Sequence, residues 1–211
     1  MAGPTSTRRS PVVRAVIFDF GNVVSTFDTG RVLRTLADRS PLPIPRLSAE
    51  IYASGLHARY EAGAISSPAF YREAMARCRA SMPMPAFIAA FTDIFEPVAG
   101  TADLIRRLAA RYPVGLLSNT NPWHFQRQIR PSPPFPHFST VTLSYRVKAQ
   151  KPAAAIYADA VAKLGVPAEG CVYVDDIPEF AEAARRAGLH GVTFTGAGPF
   201  ESELLRLGVQ T

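Results

Sequence analysis

Cysteine is scarce in this 211-residue sequence, and the chain contains neither long apolar runs nor long runs of like charge. The two cysteines, Cys78 and Cys171, are too few for a disulfide framework or a zinc cluster, and both are expected to be buried. No stretch reaches the ~18 apolar residues that a membrane span needs, and the N-terminus lacks the apolar core of a secretory signal. We therefore expect a cytoplasmic protein without a membrane partner, in which residues 1–11 form a loose tail.

The positive charge of the chain is diffuse. The formal net charge of +6 comes mostly from arginines scattered along the sequence, with no basic run of five or six residues. Such a field can favour phosphorylated or carboxylated small molecules, although a solvated basic surface explains the same pattern. It does not indicate a nucleic-acid partner. The partner that we expect is a small metabolite.

Short apolar segments alternate with helical patterns along most of the chain. Buried strands are predicted by the segments at 12–18, 113–117, 139–144, 171–175 and 191–195. These segments are rich in Val, Ile and Phe without strict alternation, which is typical of a sheet covered on both faces. Helices are predicted at 101–112, 153–165 and 178–188. Repeated strand–helix units predict an α/β fold with a doubly wound, mostly parallel sheet.

About ninety residues separate the first two predicted strands, far more than the ~10–12 that a crossover needs. Within this interval the segments 31–39, 46–62, 67–80 and 84–95 have helical character, with proline-rich breaks between them. We therefore predict a small helical cap at 31–97, inserted after the first strand. The α/β core would then consist of residues 12–30 and 98–211.

Polar residues follow several of the predicted strands. Asp19 follows the first strand, Ser118 and Asn119 follow the second, and Asp175 and Asp176 end the fourth, while Lys151 lies in the intervening unit. In an open parallel sheet, ligands bind beyond the carboxyl ends of the strands. We expect all of these side chains to meet in one crevice.

These residue types suit phosphate chemistry. Asp19 and Asp176 offer the hard oxygen ligands that Mg²⁺ prefers, while Ser118, Asn119 and Lys151 can hold phosphoryl oxygens. Taken singly, each residue has a structural explanation: Asp19 could form an Asx turn, the polar loop could cap a helix, and Lys151 could lie on the surface. The adjacent acids Asp175 and Asp176 are harder to explain, because like charges repel unless a cation relieves them.

Four segments resemble the motifs of the haloacid-dehalogenase-like (HAD) hydrolase superfamily, in the branch with a helical cap between the first and second motifs. They are "VIFDFGNVV", "LLSNTN", "AQKPAAAIY" and "CVYVDDIPEFAEAARRAG". The resemblance spans residues 12 to 195 with the motifs in order. The segment "YEAGAIS", 60–66, is similar to a cap stretch in bacterial members that include sugar-phosphate phosphatases.

The resemblance implies a Rossmann-like core and a role for each motif residue. Asp19 would be the nucleophile that forms an aspartyl-phosphate, and Lys151 would pair with it and with the phosphoryl group. Ser118 and Asn119 would bind the phosphoryl group. The family pattern further implies that Mg²⁺ is held by Asp19, Asp176 and the carbonyl of Gly21, with Asp175 beside the metal.

Two positions depart from the family pattern. Many relatives have a second aspartate where this chain has Gly21, and that aspartate acts as a general acid, which is worth ~10²–10⁴-fold in rate. Asp28 and His124 are the candidate substitutes, with Asp28 favoured, although Asp28 is also a natural helix cap. Phe180 replaces an Asp or Asn that supports the metal site, a loss that typically costs ~10–100-fold.

The leading functional hypothesis is a Mg²⁺-dependent phosphatase acting on a small phosphorylated metabolite, such as a sugar phosphate. One alternative is a metal-independent haloacid dehalogenase, which Gly21 allows but the paired acids Asp175 and Asp176 disfavour. Another is a phosphate-binding regulatory protein that has lost turnover. The cap residues His57, Arg59, Tyr60 and Arg72 are candidates for substrate selection, and the sequence does not decide between them.

Overall fold

Parallel strands form the main sheet of this computed structural model, which describes residues 12–211. Within that range five strands pair in the spatial order β5-β4-β1-β6-β7. They are β1 (Ala15–Phe18), β4 (Val114–Ser118), β5 (Thr140–Leu143), β6 (Cys171–Asp175) and β7 (His190–Thr193). All five predicted strands are confirmed. The predicted tail at residues 1–11 lies outside the described residues.

Helices cover both faces of the sheet, which confirms the doubly wound α/β fold. They are α6 (Thr101–Ala109), α9 (Ala154–Leu164), α10 (Pro178–Arg186) and α11 (Ala197–Arg206). Alternate residues of β1 enter different cores: Val16 and Phe18 pack with α6 and α11, while Ala15 and Ile17 pack with α9 and α10. Both faces are buried, which explains why the strands are apolar without alternation.

Strand β1 occupies the point where the order of the sheet reverses. From β1 the chain proceeds to β4 and β5 on one side, and then to β6 and β7 on the other side. Loops that leave neighbouring strands in opposite directions open a crevice at their carboxyl ends. Asp19 directly follows β1 and therefore lies at this crevice.

Five α helices form a lobe between β1 and β4, which we call the helical lobe. They are α1 (Gly30–Ala37), α2 (Ile44–Ser48), α3 (Leu56–Glu61), α4 (Ser67–Arg77) and α5 (Met84–Thr92), with a π-helical turn at Ala49–Ala53. The helix predicted at 46–62 is divided, because Gly55 takes a left-handed conformation with φ of 77°. The lobe packs around its own aromatic cluster, which includes Tyr60, Phe70 and Phe87.

A short antiparallel ribbon connects the helical lobe to the sheet domain. It pairs β2 (Ser25–Phe27) with β3 (Phe95–Pro97). Strands of three residues are too short for periodicity to reveal them, so the sequence did not predict this ribbon. It lies beside the predicted domain boundaries at residues 30 and 98.

Short helices follow β4 and β5 where these strands reach the crevice. After β4 come α7 (Pro122–His124) and a π-helical turn at Phe125–Ile129, and after β5 comes α8 (Ser144–Val147). Single 3₁₀ turns lie at Phe135–His137 and Ala168–Gly170. Trp123 of α7 inserts into the aromatic cluster of the helical lobe, so the lobe is packed against the crevice loops.

The structure can be compared with the predictions for the two cysteines and for membrane-spanning segments. Cys78 and Cys171 are buried and unbridged, as predicted. Among the helices of residues 12–211, none combines the length and the apolar character that crossing a bilayer requires.

Candidate active site

A cavity of about 340 Å³ opens at the carboxyl ends of β1, β4 and β6. One set of lining residues, which we call the acidic wall, consists of Asp19, Ser118, Asn119, Lys151 and Asp176. A second set, which we call the lobe wall, consists of Phe27, Tyr52, His57, Glu61 and Phe95. The sheet topology thus brings the predicted polar residues together, although they are up to 157 positions apart in sequence.

A buried ion pair forms the centre of the acidic wall. Lys151 Nζ lies 2.8 Å from Asp19 Oδ1 and 2.6 Å from Asp175 Oδ2. All three residues are buried, so each charge depends on its partners for stabilisation. Burial raises the pKa of Asp19 from 3.8 to about 7; the charge of Lys151 opposes this rise and that of Asp175 adds to it. One lysine therefore does not neutralise the acids around it.

Asp175 holds Lys151 in place. Its Oδ2 accepts hydrogen bonds from Lys151 Nζ and from the phenol of Tyr173, and its Oδ1 accepts one from the backbone N–H of Ile177 at 2.9 Å. Burial keeps the pKa of Tyr173 well above its ordinary value, so this phenol acts as a donor. The ring of Phe180 lies 5.0 Å from Lys151 Nζ, where it covers the ammonium group.

Asn119 contributes to the site through the backbone of Lys151. Its Oδ1 accepts from Lys151 N at 2.9 Å, and its Nδ2 donates to Lys151 O at 3.2 Å. The neighbouring Ser118 is buried and lines the cavity, and its hydroxyl makes only a long contact of 3.4 Å with Asn119 O. The hydroxyl of Ser118 is thus available to a ligand, as is that of Thr120 in the same loop, which also lines the cavity.

Three carboxylates converge beside the ion pair. Asp19, Asp175 and Asp176 each place one oxygen within 4.8 Å of the other two. Asn22 Nδ2 donates to Asp176 Oδ2 at 2.9 Å, and Asn22 holds a left-handed backbone with φ of 53°. Asparagine tolerates this conformation better than most residues. The turn after Asp19 therefore directs an amide back onto the acidic wall.

Phe27 occupies the space that a side chain at position 21 would use. A Cβ added to Gly21 would lie 3.2 Å from the Phe27 ring and 3.9 Å from Asp19 Oδ2. A contact of 3.2 Å is tighter than ordinary van der Waals packing. The glycine and this phenylalanine from β2 are therefore matched to each other.

Helix α3 places two titratable side chains on the lobe wall. His57 Nδ1 lies 3.7 Å from Glu61 Oε2, one helical turn away, and each side chain is 18% exposed. The ring of Tyr52 lies 5.1 Å from that of His57. Of the lobe residues singled out in the sequence, His57 lines the cavity, while Tyr60 is buried in the lobe and Arg59 pairs with Glu73.

Neither residue predicted to replace the missing acid at Gly21 is suited to that task. Asp28 is absent from the cavity lining; it accepts from Gly30 N and pairs with Arg34, which together hold its pKa below its ordinary value. It is a helix cap in the form of an ionised carboxylate. The prediction of Asp28 as the acid is therefore wrong.

His124 lines the cavity, but both of its ring nitrogens are engaged. Nδ1 lies 3.0 Å from Asn121 Nδ2 and Nε2 lies 3.0 Å from Phe91 O, so Nε2 carries the single proton and donates it to the carbonyl. Burial lowers the pKa of His124 to about 3, with His57 adding to the effect. His124 is a neutral structural residue that joins the crevice loop to the lobe.

Sequence reasoning missed three residues of this site. Tyr173 lies in an apolar strand and gave no sign beyond burial, and Asn22 acts through a backbone conformation that one sequence does not reveal. Glu61 could have been found, since its spacing of four from His57 places both on one face of a helix.

Comparison with known proteins gives a consistent result. A family model described as haloacid dehalogenase-like hydrolase matches residues 13–188. The structure is similar to that of a predicted HAD-like family hydrolase from Porphyromonas gingivalis, with a TM-score of 0.79, 23% identity and coverage of 95% of this chain and 100% of that chain.

Two further structures are similar in fold. A HAD family enzyme from Bacteroides thetaiotaomicron has a TM-score of 0.78 and 22% identity over 92% of this chain and 99% of that chain. That enzyme is also known in complex with magnesium and inorganic phosphate. A 2-haloacid dehalogenase from Pseudomonas syringae pv. Tomato DC3000 has a TM-score of 0.60 and 15% identity over 92% of this chain and 99% of that chain. At these identities the likeness shows a shared fold alone.

Proposed function

Because this chain belongs to the haloacid dehalogenase-like hydrolase family, we propose that it is a Mg²⁺-dependent phosphatase of a small phosphorylated metabolite. The observation that carries the proposal is the convergence of Asp19, Lys151, Asp176 and Ser118 on one cavity. A carboxylate nucleophile, a cation and a hydroxyl donor are the groups that phosphoryl transfer needs. The magnesium and phosphate complex of the Bacteroides enzyme supports the same reaction class.

In this proposal Asp19 attacks phosphorus and forms an aspartyl-phosphate, which water then hydrolyses. Its Oδ1 is held 2.8 Å from Lys151 Nζ, which fixes the direction of the carboxylate. Asp175 and Asn119 hold Lys151 from its side chain and from its backbone, respectively. Ser118 donates to a phosphoryl oxygen, and Lys151 balances the charge of the phosphoryl group. Asn119 acts mainly by positioning Lys151.

The acidic wall fits a hard divalent cation. Three carboxylates lie within 4.8 Å of one another beside a single lysine. Burial raises the pKa of Asp19 to about 7, with Asp175 adding to the rise and Lys151 opposing it. The residues that would hold Mg²⁺ are Asp19, Asp176 and the carbonyl of Gly21, with Asp175 beside them. When bound, the cation supplies the positive charge that keeps the nucleophile ionised and neutralises the phosphoryl oxygens.

The lining residues favour a substrate whose leaving group is uncharged. Within residues 12–211, Lys151 is the only lysine or arginine that lines the cavity, and it is already paired with Asp19 and Asp175. A second anionic group on the substrate would therefore find no free lysine or arginine to pair with. A sugar phosphate meets this requirement. We propose that residues 31–97 act as the cap that encloses such a leaving group.

A haloacid dehalogenase is the second candidate, favoured by the shared fold with dehalogenases. It needs no metal and must bind an anionic carboxylate substrate. The three converging carboxylates would repel that substrate, and Asp175 and Asp176 beside the nucleophile have no use in a metal-free reaction.

The test is phosphate release from p-nitrophenyl phosphate with Mg²⁺ or EDTA, together with chloride release from 2-chloropropionate. We expect Mg²⁺-dependent phosphate release that EDTA and Asp19→Asn each abolish. The control is Asp38→Asn, because Asp38 is exposed and lies outside the cavity. Wild-type rates in Asp19→Asn would overturn the nucleophile assignment, and chloride release without Mg²⁺ would establish the dehalogenase instead.

A further inference from the structure

The acidic wall leaves one chemical requirement unmet. When a phosphate ester of an ordinary alcohol is cleaved, the departing oxygen carries developing negative charge and needs a proton. Gly21 has no side chain to supply one, Asp28 lies outside the cavity, and His124 is buried with both nitrogens engaged. The proton must come from another group that lines the cavity.

The lobe wall offers three candidates for this proton. They are the phenol of Tyr52, the imidazole of His57 and the carboxyl of Glu61. Burial raises the pKa of Tyr52 above its ordinary value, so the phenol retains its proton. Imidazole is the group used most often in general acid catalysis. Glu61 is placed to act on the imidazole, since its Oε2 lies 3.7 Å from His57 Nδ1.

Helix α3 is fixed against the crevice at its C-terminal end. Ser144 Oγ lies 2.6 Å from Glu61 O and 2.9 Å from Thr120 N, so one hydroxyl joins α3 to the loop that follows β4. Gly63 has φ of 66°, and a Cβ there would lie 2.2 Å from Tyr145 O. Only glycine permits this close approach. The lobe wall therefore has a defined position relative to Ser118 and Asn119.

The groups packed around His57 come from several elements. Tyr52 and Glu61 face it from the lobe, and the neutral ring of His124 lies 6.2 Å away, with Phe70 and Phe91 completing the surroundings. Glu61 is thus the anionic partner of the imidazole among these neighbours. The cavity volume of about 340 Å³ is near the lower limit of the ~300–1,000 Å³ typical of ligand pockets, so it suits a small phosphate ester whose leaving group contacts the lobe wall.

We infer that His57 protonates the leaving oxygen and that Glu61 is a positioning residue for its imidazole. This inference rests on the proposed phosphatase function. As Asp19 bonds to phosphorus, the ester P–O bond breaks with its electron pair on the leaving oxygen, which takes a proton from the His57 imidazolium and departs as the alcohol. Water then enters, gives a proton back to the neutral imidazole and bonds to phosphorus. The bond to Asp19 breaks and inorganic phosphate is released.

The test compares a substrate that needs the proton with one that does not. Glucose 6-phosphate has an alkoxide leaving group, whereas the p-nitrophenolate of p-nitrophenyl phosphate departs without protonation. We expect His57→Gln to lower kcat/KM for glucose 6-phosphate, or for another alkyl phosphate that the wild type hydrolyses, by ~10²–10⁴-fold. On p-nitrophenyl phosphate, kcat/KM covers the steps up to departure of the leaving group and excludes hydrolysis of the aspartyl-phosphate. It should therefore match that of Arg59→Gln, a control on the same helix that pairs with Glu73 outside the cavity.

Glu61→Gln provides the second variant. It should lower the rate on alkyl phosphates selectively but by less than His57→Gln, because it removes the orienting charge and retains the imidazole. Equal losses of kcat/KM on both substrates would overturn the inference in favour of a structural role, and an unchanged kcat/KM for the alkyl phosphate in His57→Gln would overturn it outright. If the wild type releases phosphate from neither substrate, the proposed function fails and this inference fails with it.

Discussion

The acidic wall of the cavity is built mainly from residues that follow buried strands, whereas the lobe wall is built from helix α3, the π-helical turn before it and a short ribbon. Asp19 and Ser118 each stand at the carboxyl end of a strand that is fixed by pairing on both sides. His57 and Glu61 lie on α3, a helix of six residues that side-chain packing, one hydroxyl and a glycine contact hold to the crevice loops.

This difference assigns different tasks to the two walls. Residues fixed by a sheet can be held to the narrow tolerances that nucleophilic attack requires. A helix outside the sheet can vary without disturbing the core, so it suits recognition and protonation of the leaving group. The acidic wall should then act alike on every phosphate ester, while the lobe wall should discriminate between leaving groups.

Among variants that test the difference between the two walls, we expect the largest effect from Lys151→Met. It removes the cation that lies between Asp19 and Asp175, so both substrate types should lose activity equally, by at least ~10²–10³-fold. Unpaired buried carboxylates should lower the free energy of unfolding by about 3–5 kcal/mol. Rates on both substrates and urea unfolding measure the two effects.

The matched control for Lys151→Met is Lys163→Met, because Lys163 is more exposed and pairs with Asp159 outside the cavity. If Lys151→Met lost activity on alkyl phosphates alone, Lys151 would act on the leaving group. The proposed difference between the acidic wall and the lobe wall would then be wrong.

An intermediate effect is expected from Tyr173→Phe. The Tyr173 phenol donates to the ionised Asp175, a hydrogen bond whose loss should cost about 1.5–3 kcal/mol in unfolding free energy. Tyr157→Phe is the matched control, because Tyr157 is also buried but donates to the neutral carbonyl of Phe180, which should cost about 0.5–1.5 kcal/mol. Equal costs in urea unfolding would mean that the phenol does not support the charged acidic wall.

The smallest effect concerns His124, which joins the two walls through Phe91 O. Its pKa of about 3 lies below the ordinary 6.5, so the unfolded chain takes up the proton first as the pH falls. The resulting stability is present above pH 6.5 and is lost as the pH falls, by about 1.4 kcal/mol at pH 5.5.

His124→Gln should remove this share of the pH dependence. The measurement is the free energy of unfolding of the wild type and of His124→Gln between pH 7.5 and pH 5.5. Because both proteins contain the same other titrating groups, the difference between their curves reports the contribution of His124. Parallel curves would show that His124 is protonated normally and does not fix the lobe to the crevice.

The sequence predicted the acidic wall and the main sheet well, for physical reasons. Buried parallel strands are continuous apolar runs, and the polar residue that ends each run is conspicuous, so Asp19, Ser118 and Asp176 could be found without the structure. Topology then requires these residues to meet.

The lobe wall could not be predicted in the same way. Which face of α3 is directed toward the cavity depends on how the lobe packs, and the ribbon that carries Phe27 is too short for its periodicity to be read. Of the substitutes proposed for the missing acid, Asp28 lies close to Gly21 in sequence and His124 follows the polar loop after β4. The cavity lining instead favours His57, which is 36 residues from Gly21.

The central claim is that hydrolysis proceeds through an aspartyl-phosphate on Asp19. The most direct measurement is the stereochemical course at phosphorus, using a phosphorothioate ester made chiral by sulfur and two oxygen isotopes and hydrolysed in water that carries the third isotope. Two successive in-line displacements, one by Asp19 and one by water, predict retention of configuration in the released thiophosphate. Inversion would mean that water attacks the substrate directly, and it would contradict the role assigned to Asp19.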